Sequence, residues 1–349
     1  MKQAVLLGDE GTKRTLYFRQ AAAMEKLPVL FAEWSSFHEW LQHSASEDSG
    51  KDEWFLKIDP PLWKSCCLED LDGLTKDYIQ KLEELAGISL KHRIEFLNHP
   101  YTIIQLLDKR ECKQKLQSAG LAVTQMLEEK LLNPHTAGHL LELMRKCGIF
   151  QVFIKPVNGS GAAGVSALRW QPAKNRMVLY TCALEHPQAG LVNTKQLRCF
   201  TKTNEIMSLL NSILQMDCVV ERWYAKAQHQ GYSYDLRAVV LDGRTEFLLG
   251  RLSKGPITNL HLNNHPLAAK ELEIPASVLA DIEELCERAV SCYEGLRCAG
   301  IDILLERGSL KPRIIEMNAQ GDLIYQDIFH ENRIYRRQAK MMTDWLKLE

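Results

Sequence analysis

Three oxygen-bearing side chains in two neighbouring apolar runs could together hold a metal ion. Asp302 lies inside "GIDILLE", and Glu316 and Asn318 lie two positions apart in "RIIEMN". Residues two apart in a strand point to the same face, so the second run aims a carboxylate and an amide at one spot. Buried carboxylates need a cation or hydrogen-bond donors, and oxygen ligands of this kind suit Mg²⁺. The pattern predicts a magnesium site; the alternative is strand-end carboxylates capped by backbone amides or arginine.

A glycine-rich loop, "VNGSGAAG", follows the apolar run "FIKP" and precedes the alternating run "VSALRW". Glycines bring the backbone close to a ligand and present bare amides to phosphate oxygens. The loop joins two predicted strands and lacks the Gly-Lys-Ser/Thr ending of a P-loop, which disfavours a Walker-type NTPase. We predict a phosphate-binding flap; a flexible β-turn with a surface lysine is the alternative. The residues concerned are Lys155, Gly159, Ser160, Gly161 and Gly164.

Two further segments complete a candidate nucleotide site. Lys109 stands at the start of the predicted helix "DKRECKQKLQSAG". The buried run "DCVV" leads into a hinge, Glu221 to Tyr224, that includes Trp223. Backbone N–H and C=O groups of such a hinge could bind the edge of an adenine base.

Four polar residues of the next section are candidates for substrate or phosphate binding. Asp235 and Arg237 share one strand face in "YDLRAVVL", and Arg251 follows in "LLGRLS". Inward arginines could bind an acyl phosphate or a carboxylate through two parallel hydrogen bonds, although a surface strand residue is the commoner role of either one alone. Asn259, in "ITNLHL", is a candidate phosphate or metal contact.

The elements that must position these residues follow from local patterns. "AVLLGDE" and the following residues to Trp34 indicate a strand, a turn, a helix and a strand, which is the start of an α/β layer domain. Gly8 alone is not a dinucleotide fingerprint, because the turn after this first strand has no G-x-G-x-x-G. Asp242-Gly243 between two strand-like runs predicts a tight hairpin.

Taken in order, the segments "DK", "FIKPVNGSGAAG", "VVERWY", "DLR", "TNLHL", "GIDILLE" and "IIEMN" resemble the ATP-grasp superfamily. The likeness covers roughly residues 100 to 325 and is closest to the glutathione-synthetase-like branch, which includes ligases that add glutamate to a ribosomal protein. It implies an α/β (α+β) ATP-grasp fold in three lobes. These are a Rossmann-like pre-ATP-grasp domain over 1–105, a lid subdomain with the glycine-rich flap over 106–220, and a C-terminal subdomain with the metal site over 221–349.

The resemblance assigns each candidate a role. The residues that would contact the nucleotide are Lys109 and Lys155 at the ATP phosphates, Glu221, Trp223 and Tyr224 at the adenine, and Asp235 at the ribose or its neighbours. The residues that would act in the reaction are Arg237 and Arg251 at an acyl phosphate, and Asp302, Glu316 and Asn318 at Mg²⁺, with Mn²⁺ as an alternative ion.

Two positions depart from the pattern of these ligases. Ile257 stands where an arginine is often found, so one phosphate or substrate contact is missing or comes from elsewhere. Ala319-Gln320-Gly321 replaces a common Pro-Gly turn after the metal-binding asparagine, which puts the substrate edge of the site in doubt.

The implied activity is ATP-dependent ligation of a carboxylate to an amine through an acyl phosphate. The substrate would be an amino acid, a peptide or a protein. An ATP-dependent kinase on the same fold and a non-catalytic ATP-binding regulatory module are the alternatives. An intact Asp, Glu and Asn set favours catalysis, because a mere binding fold need not retain all three ligands.

Composition limits the partners and the compartment. The chain has 349 residues, with 43 basic and 44 acidic side chains, which argues against a broad nucleic-acid or anionic-membrane surface. Ten scattered cysteines without a C-x-x-C motif indicate neither a zinc site nor a disulfide framework, and so predict a reducing cytoplasm. The sequence does not determine the oligomeric state; a homodimer is the commonest soluble assembly.

Overall fold

The structure is a computed structural model, and three sheets organise the part of the chain that it describes. The described residues are 1–44, 53–63, 65–89, 93–127, 134–159, 161–262, 264–324, 327 and 331–347. No helix among them is both long and apolar enough to cross a membrane. All ten cysteines are free thiols.

The first section forms a four-stranded parallel sheet in the order β2-β1-β3-β4. Its elements are β1 (Lys2–Gly8), α1 (Lys13–Met24), β2 (Val29–Glu33), α2 (Phe37–Ser44), β3 (Glu53–Ile58), α3 (Leu71–Ser89) and β4 (Arg93–Phe96). The apolar run of β1 is buried, as parallel strands covered on both faces require. The hydroxyl of Thr12 caps α1 by accepting a hydrogen bond from the N–H of Thr15. The predicted strand–turn–helix–strand order is confirmed.

The second section forms a five-stranded antiparallel sheet in the order β8-β7-β6-β5-β9, which we call the lid. Two helices lead into it, α4 (Pro100–Leu107) and α5 (Lys109–Ser118). Its elements are α6 (Ala137–Cys147), β5 (Gln151–Pro156), β6 (Ser166–Gln171), β7 (Arg176–His186), β8 (Gly190–Phe200), α7 (Thr203–Ile213) and β9 (Cys218–Arg222). The glycine-rich loop therefore joins two antiparallel strands, β5 and β6.

The third section forms an antiparallel sheet in the order β13-β12-β11-β14-β15, with β10 paired to β11. Its elements are β10 (Gln228–His229), β11 (Tyr232–Leu241), β12 (Arg244–Ser253), β13 (His265–Ala268), α8 (Ala276–Ser291), β14 (Cys298–Leu305), β15 (Pro312–Asn318) and α9 (Arg333–Leu346). Asp242 and Gly243 both have positive φ angles, 49° and 78°, and the predicted tight hairpin is confirmed.

The apolar cores tie the sections together. One cluster joins the first sheet to the third sheet and α8, and a second fills the lid. Leu68 and Leu71 belong to the lid core although they precede it in the chain. The C-terminal helix α9 returns to pack on α1 and β1. The domain boundaries at 105/106 and 220/221 remain our proposal. Strand β9, which belongs to the lid sheet, crosses the second of these boundaries.

Candidate active site

One face of the third sheet gathers charged side chains into a row. The strand register pairs Asp235 with Arg251, and it pairs Arg237 with Asp302. Asp302 in turn pairs with Glu316 of β15. Opposed residues of an antiparallel pair point to the same face, so these five side chains lie side by side.

The three predicted metal ligands meet at one end of this row. Asn318 lies two residues from Glu316 on the same strand face, and its Nδ2 is 3.3 Å from Oε1 of Glu316. The pairing shifts just after Asp302, because Ile303 faces Ile314 and leaves one extra residue in β15. A bulge of this kind re-aims side chains beside it. The structure thus brings all three ligands together.

Cations surround the two carboxylates of this set. Nε of Arg237 lies 2.6 Å from Oδ1 of Asp302, and Nη2 of Arg251 lies 3.0 Å from Oδ2. Burial raises the pKa of Asp302 above its ordinary value although both arginines oppose the change. Burial also disfavours ionisation of Glu316, but the positive charges led by Lys109 lower the pKa of that carboxyl to about 2. Glu316 is therefore ionised at neutral pH.

Two adjoining cavities open on the charged face. The smaller, of about 90 Å³, extends towards the lid, and Lys155, Tyr224 and Asp302 are among its lining residues. The larger, of about 380 Å³, extends towards the first section. Six residues line both cavities: Lys109, Gly159, Gly161, Arg251, Asn259 and Glu316.

A buried ionic cluster forms the lid side of the smaller cavity. The carboxylate of Glu221 accepts hydrogen bonds from Lys155 at 3.0 Å and from Thr124 at 2.7 Å, and Lys113 Nζ lies 3.2 Å from its other oxygen. Burial would raise the pKa of Glu221, but Lys113 and Lys155 outweigh it and hold the pKa below its usual value. The Glu221 side chain therefore orients two lysines.

Lys109 brings a cation from the start of α5 to the glycine-rich loop. Its Nζ donates hydrogen bonds to the carbonyl oxygens of Val157 at 3.2 Å and Gly159 at 2.5 Å. Burial lowers the pKa of this ammonium group, and the nearby Glu316 carboxylate opposes that effect. A cation is thus fixed where the two cavities meet.

The glycines of the loop have two different roles. Gly159 and Gly161 line both cavities and have positive φ angles of 114° and 67°, which glycine adopts without steric cost. Gly164 also has a φ of 67°, but a Cβ there would lie 2.7 Å from Cγ of Pro156. It lines neither cavity and shapes the turn. Ser160 lies outside the described residues.

The predicted adenine hinge is placed only in part. Tyr224 lines the smaller cavity, as does Glu221. Trp223 does not: its ring packs against Phe153 at 5.5 Å between centroids, and its backbone N–H donates to the carbonyl of Gln151 at 2.9 Å. The ring of Trp223 is thus used within the lid sheet, and the expected contact of Trp223 with the adenine stays a prediction.

Asp235 lines the smaller cavity, but its oxygens are already engaged. It accepts hydrogen bonds from Nε of Arg251 at 2.7 Å, from Nζ of Lys226 at 3.0 Å and from the hydroxyl of Thr258. Burial would raise its pKa, but Arg251 and Lys226 hold the pKa far below the usual range. In the structure Asp235 orients these donors, and the predicted ribose contact stays a prediction.

Asn259 stands at the mouth shared by the two cavities. Its side-chain oxygen accepts a hydrogen bond from the N–H of His261 at 2.9 Å, and its carbonyl accepts one from Asn264 at 2.8 Å. These bonds fix the loop between β12 and β13 over the charged face. The expected phosphate or metal contact has a suitable position.

No protein-family model and no curated protein matches this sequence. The chain resembles the ATP-grasp ligase PsnB, complexed with a phosphomimetic variant of a minimal precursor, Mg and ADP, over 99% of both chains, with a TM-score of 0.60 and 13% identity. It resembles the macrocyclase MdnC, bound with precursor peptide MdnA from Microcystis aeruginosa MRC, over 98% of this chain and 100% of the other, with a TM-score of 0.60 and 11% identity. D-alanine–D-alanine ligase from Bacillus anthracis aligns over 99% and 97% of the chains, with a TM-score of 0.54 and 13% identity.

The chain has the ATP-grasp fold. The predicted fold class is thereby confirmed, since the likeness spans essentially the whole chain. The glutathione-synthetase-like branch stays a prediction, because identities of 11% to 13% establish architecture alone.

The residues present fit the Mg²⁺ that the ATP-grasp resemblance implies. Asp302, Glu316 and Asn318 supply the hard oxygen donors that this ion prefers. Oδ1 of Asp302 is buried and accepts no hydrogen bond from the described residues, although Nε of Arg237 lies 2.6 Å away. Among the described residues no group of three or more His, Cys, Asp or Glu side chains could hold a metal. This set of two carboxylates and an amide suits an ion that shares its coordination with phosphates.

Several residues of the site were not predicted from the sequence. Lys113 lies one turn after Lys109 on the same face of α5, and that spacing was the available signal. Lys226 follows the hinge, and no local pattern distinguished its buried side chain from a surface lysine. Ile257 provides an apolar lining of the smaller cavity where an arginine was expected.

The turn after Asn318 also has a structural explanation within the ATP-grasp fold. The side chain of Gln320 donates to the carbonyl of Ile58 at 2.8 Å and to the hydroxyl of Tyr78 at 2.9 Å. Gly321 packs directly on Gly300 of β14, where a Cβ on Gly300 would lie 2.2 Å from the carbonyl oxygen of Gly321. This turn therefore joins the candidate metal strand to the first section.

Proposed function

We propose that this protein is an ATP-dependent carboxylate–amine ligase that acts through an acyl phosphate. The observation that carries the proposal is the junction of the two cavities at Lys109, Arg251 and Glu316. One cavity would hold ATP and the other the substrates. The shared residues then stand where the γ-phosphate would meet a substrate carboxylate.

The lining of the smaller cavity suits the nucleotide. Its apolar lining includes Phe153, Ile257 and Leu304, which would pack on the base beside Tyr224. The phosphates would lie against Lys109, Lys155, Gly159, Ser160 and Gly161, where backbone amides and two ammonium groups offset their charge.

Asp302, Glu316 and Asn318 would hold Mg²⁺, with Mn²⁺ as an alternative. The ion would neutralise the phosphate charge that develops during transfer. Glu316 is suited to this role because its low pKa keeps it ionised across the neutral range.

In the first chemical step, a carboxylate oxygen attacks the γ-phosphorus, and the bond to the β–γ bridging oxygen breaks to release ADP. In the second, an amine nitrogen attacks the acyl carbon, loses a proton and expels phosphate to leave an amide. Arg237 and Arg251 would stabilise the acyl phosphate, since both residues line the larger cavity. The flap around Gly159 would exclude water from that intermediate.

The similar structures support the class of substrate. PsnB is a ligase complexed with a precursor, and MdnC is a macrocyclase bound with a precursor peptide. We infer an amino acid, a peptide or a protein as substrate for this chain. The free thiols support the reducing cytoplasm as its compartment.

Turnover of ATP with Mg²⁺ tests the proposal, measured with and without pooled amino acids and short peptides. We expect stimulated release of ADP and phosphate, and a loss of about 10²- to 10³-fold in Glu316→Gln. Glu284→Gln, at an exposed position of α8, is the matched control and keeps wild-type turnover. Phosphoryl transfer without any need for an amine would favour the kinase alternative. Failure of folded protein to bind Mg-ATP would overturn the proposal.

A further inference from the structure

The larger cavity is also lined by a cationic group outside the charged row of the third sheet. Arg14 of α1 lines it with its side chain 19% exposed. Nη1 donates to the carbonyl of Gln320 at 2.8 Å and to the carboxylate of Asp322. Its hydrogen bonds to described residues use Nη1, which leaves Nη2 and Nε for a ligand.

Arg14 is held in place by a buried network rather than by a flexible surface contact. Asp322 is 3% exposed, and it also accepts hydrogen bonds from Lys57 at 3.1 Å and from Gln338 at 2.9 Å. Lys57 pairs in turn with Asp59 at 2.6 Å. A guanidinium group fixed in this way loses little conformational entropy when it binds an anion.

A second donor lies beside Arg14. The hydroxyl of Tyr78 accepts a hydrogen bond from Gln320 at 2.9 Å and donates to none of the described residues. Tyr78 is 1% exposed and lines the same cavity. Gln320 thus contacts both Arg14 and Tyr78 and sets their spacing.

The same cavity combines an apolar lining with residues of the proposed reaction site. Ile103, Leu106 and Leu107 form an apolar part of the lining, and Arg251 and Glu316 lie where the nucleotide cavity joins. A volume of about 380 Å³ is in the range of small-ligand sites, which is about 300–1,000 Å³. An occupant of this cavity would meet both cationic groups and an apolar lining.

We infer that Arg14 and Tyr78 bind a substrate carboxylate that does not react. The substrate in the larger cavity is then an amino acid or a short peptide with a free carboxyl end, whose amine points towards Arg251. The guanidinium group binds the carboxylate oxygens and the phenol donates a further hydrogen bond. This inference rests on the proposed ligase function, since that function places the reacting groups at Arg251 and Glu316.

Calorimetric titration of the full chain saturated with Mg-ADP tests the inference. The probes are the twenty standard amino acids, alanyl dipeptides, and the α-amide of each. We expect at least one free acid to bind, and its amide to bind about tenfold to a hundredfold more weakly, as the loss of a charged hydrogen bond predicts.

Variants assign the effect to the donor pair. Arg14→Gln and Tyr78→Phe are expected to lose the preference for acid over amide. Arg14→Lys keeps a positive charge against Asp322, so its fold is retained while affinity for the acid falls. Arg19→Gln, on the same helix with its guanidinium over the ring of Phe31, is the matched control and keeps the wild-type preference.

The outcomes separate the two proposals. A folded protein that does not bind Mg-ADP contradicts the proposed function. Three outcomes with normal Mg-ADP binding overturn the inference about Arg14 and Tyr78. The protein binds acid and amide equally well, it binds no acid at all, or Arg14→Gln keeps the preference for the acid.

Discussion

Several charged residues of the candidate site form buried ion pairs. Glu221 lies between two lysines, and Asp235 lies between Arg251 and Lys226. Removal of one member of such a pair leaves an uncompensated charge and typically costs 3–5 kcal/mol. These residues therefore position donors for a ligand while they stabilise the fold.

Asp322, which forms ion pairs with Lys57 and Arg14, leads to a prediction about how stability depends on pH. Burial would raise the pKa of Asp322, but Lys57 and Arg14 lower it well below its ordinary value of 3.8. A carboxyl group whose pKa is lower in the folded than in the unfolded protein stabilises the fold at pH values above its unfolded pKa. This stabilisation is lost progressively as the pH falls below about 4. We expect Asp322→Asn to lower the free energy of unfolding by about 3–5 kcal/mol at pH 7. At pH 3 its free energy of unfolding should lie closer to that of the wild type.

Urea unfolding at the two pH values measures this difference. Asp77→Asn is the control, because its carboxylate is exposed and pairs with Lys81 at the surface, and we expect the unfolding free energy to change by no more than about 1 kcal/mol. An equal loss of unfolding free energy in Asp322→Asn at pH 7 and pH 3 would contradict the low pKa assigned to Asp322.

At the scale of elements, two irregularities build the site. The bulge in β15 aligns Glu316 with Asp302, and the loop between β5 and β6 brings Gly159 and Gly161 to the cavities. Both depend on backbone conformations that regular strands do not provide.

Gly164 tests the conformation of the loop. Gly164→Ala combines a positive φ of 67° with a Cβ 2.7 Å from Pro156, so we expect a loss of about 1–3 kcal/mol. Gly231→Ala is the control, because Gly231 has a similar φ of 81° but a Cβ there would meet nothing within 4 Å. We expect it to lower the free energy of unfolding by about 1 kcal/mol. Thermal unfolding compares the two variants, and equal losses would show that the contact with Pro156 is unimportant.

At the scale of the whole molecule, backbone hydrogen bonds and apolar packing connect the first section to the lid. The N–H of Leu68 donates to the carbonyl of Leu191 at 2.8 Å, and the N–H of Asn193 donates to the carbonyl of Cys66 at 2.8 Å. The Leu68 side chain is 2% exposed within the lid core. This connection holds β8 of the lid against the section that lines the larger cavity.

Leu68→Ala is expected to destabilise the protein by about 2–5 kcal/mol through the cavity it leaves. It should also speed amide hydrogen exchange in β8, because the edge of the lid loses its packed neighbour. Exchange measured by mass spectrometry checks this. Leu62→Ala, 56% exposed in the same segment, is the control and should leave both properties unchanged. Unaltered exchange in β8 of the Leu68 variant would refute the connection.

Local pattern predicted much of the fold and several site residues. The two-residue period of strands placed Glu316 and Asn318 on one face, and polar residues inside apolar runs identified Asp302. The Asp242-Gly243 hairpin and the strand–loop–strand around the glycines also follow from residue type. Such features are readable because backbone conformation and side-chain direction are set by residues close in sequence.

Tertiary structure alone decided how distant side chains meet. Arg14 and Gln320 are 306 positions apart, and no local pattern indicated that they would touch or that Asp322 would be buried between Arg14 and Lys57. The ring of Trp223 packs on residues of β5 and β7, which no local pattern around the predicted adenine hinge indicated. The sequence by itself determined which residues are polar within apolar strands. Which cation each carboxylate binds, and which of them lines a cavity, depends on packing between sections, because burial is a property of the assembled chain.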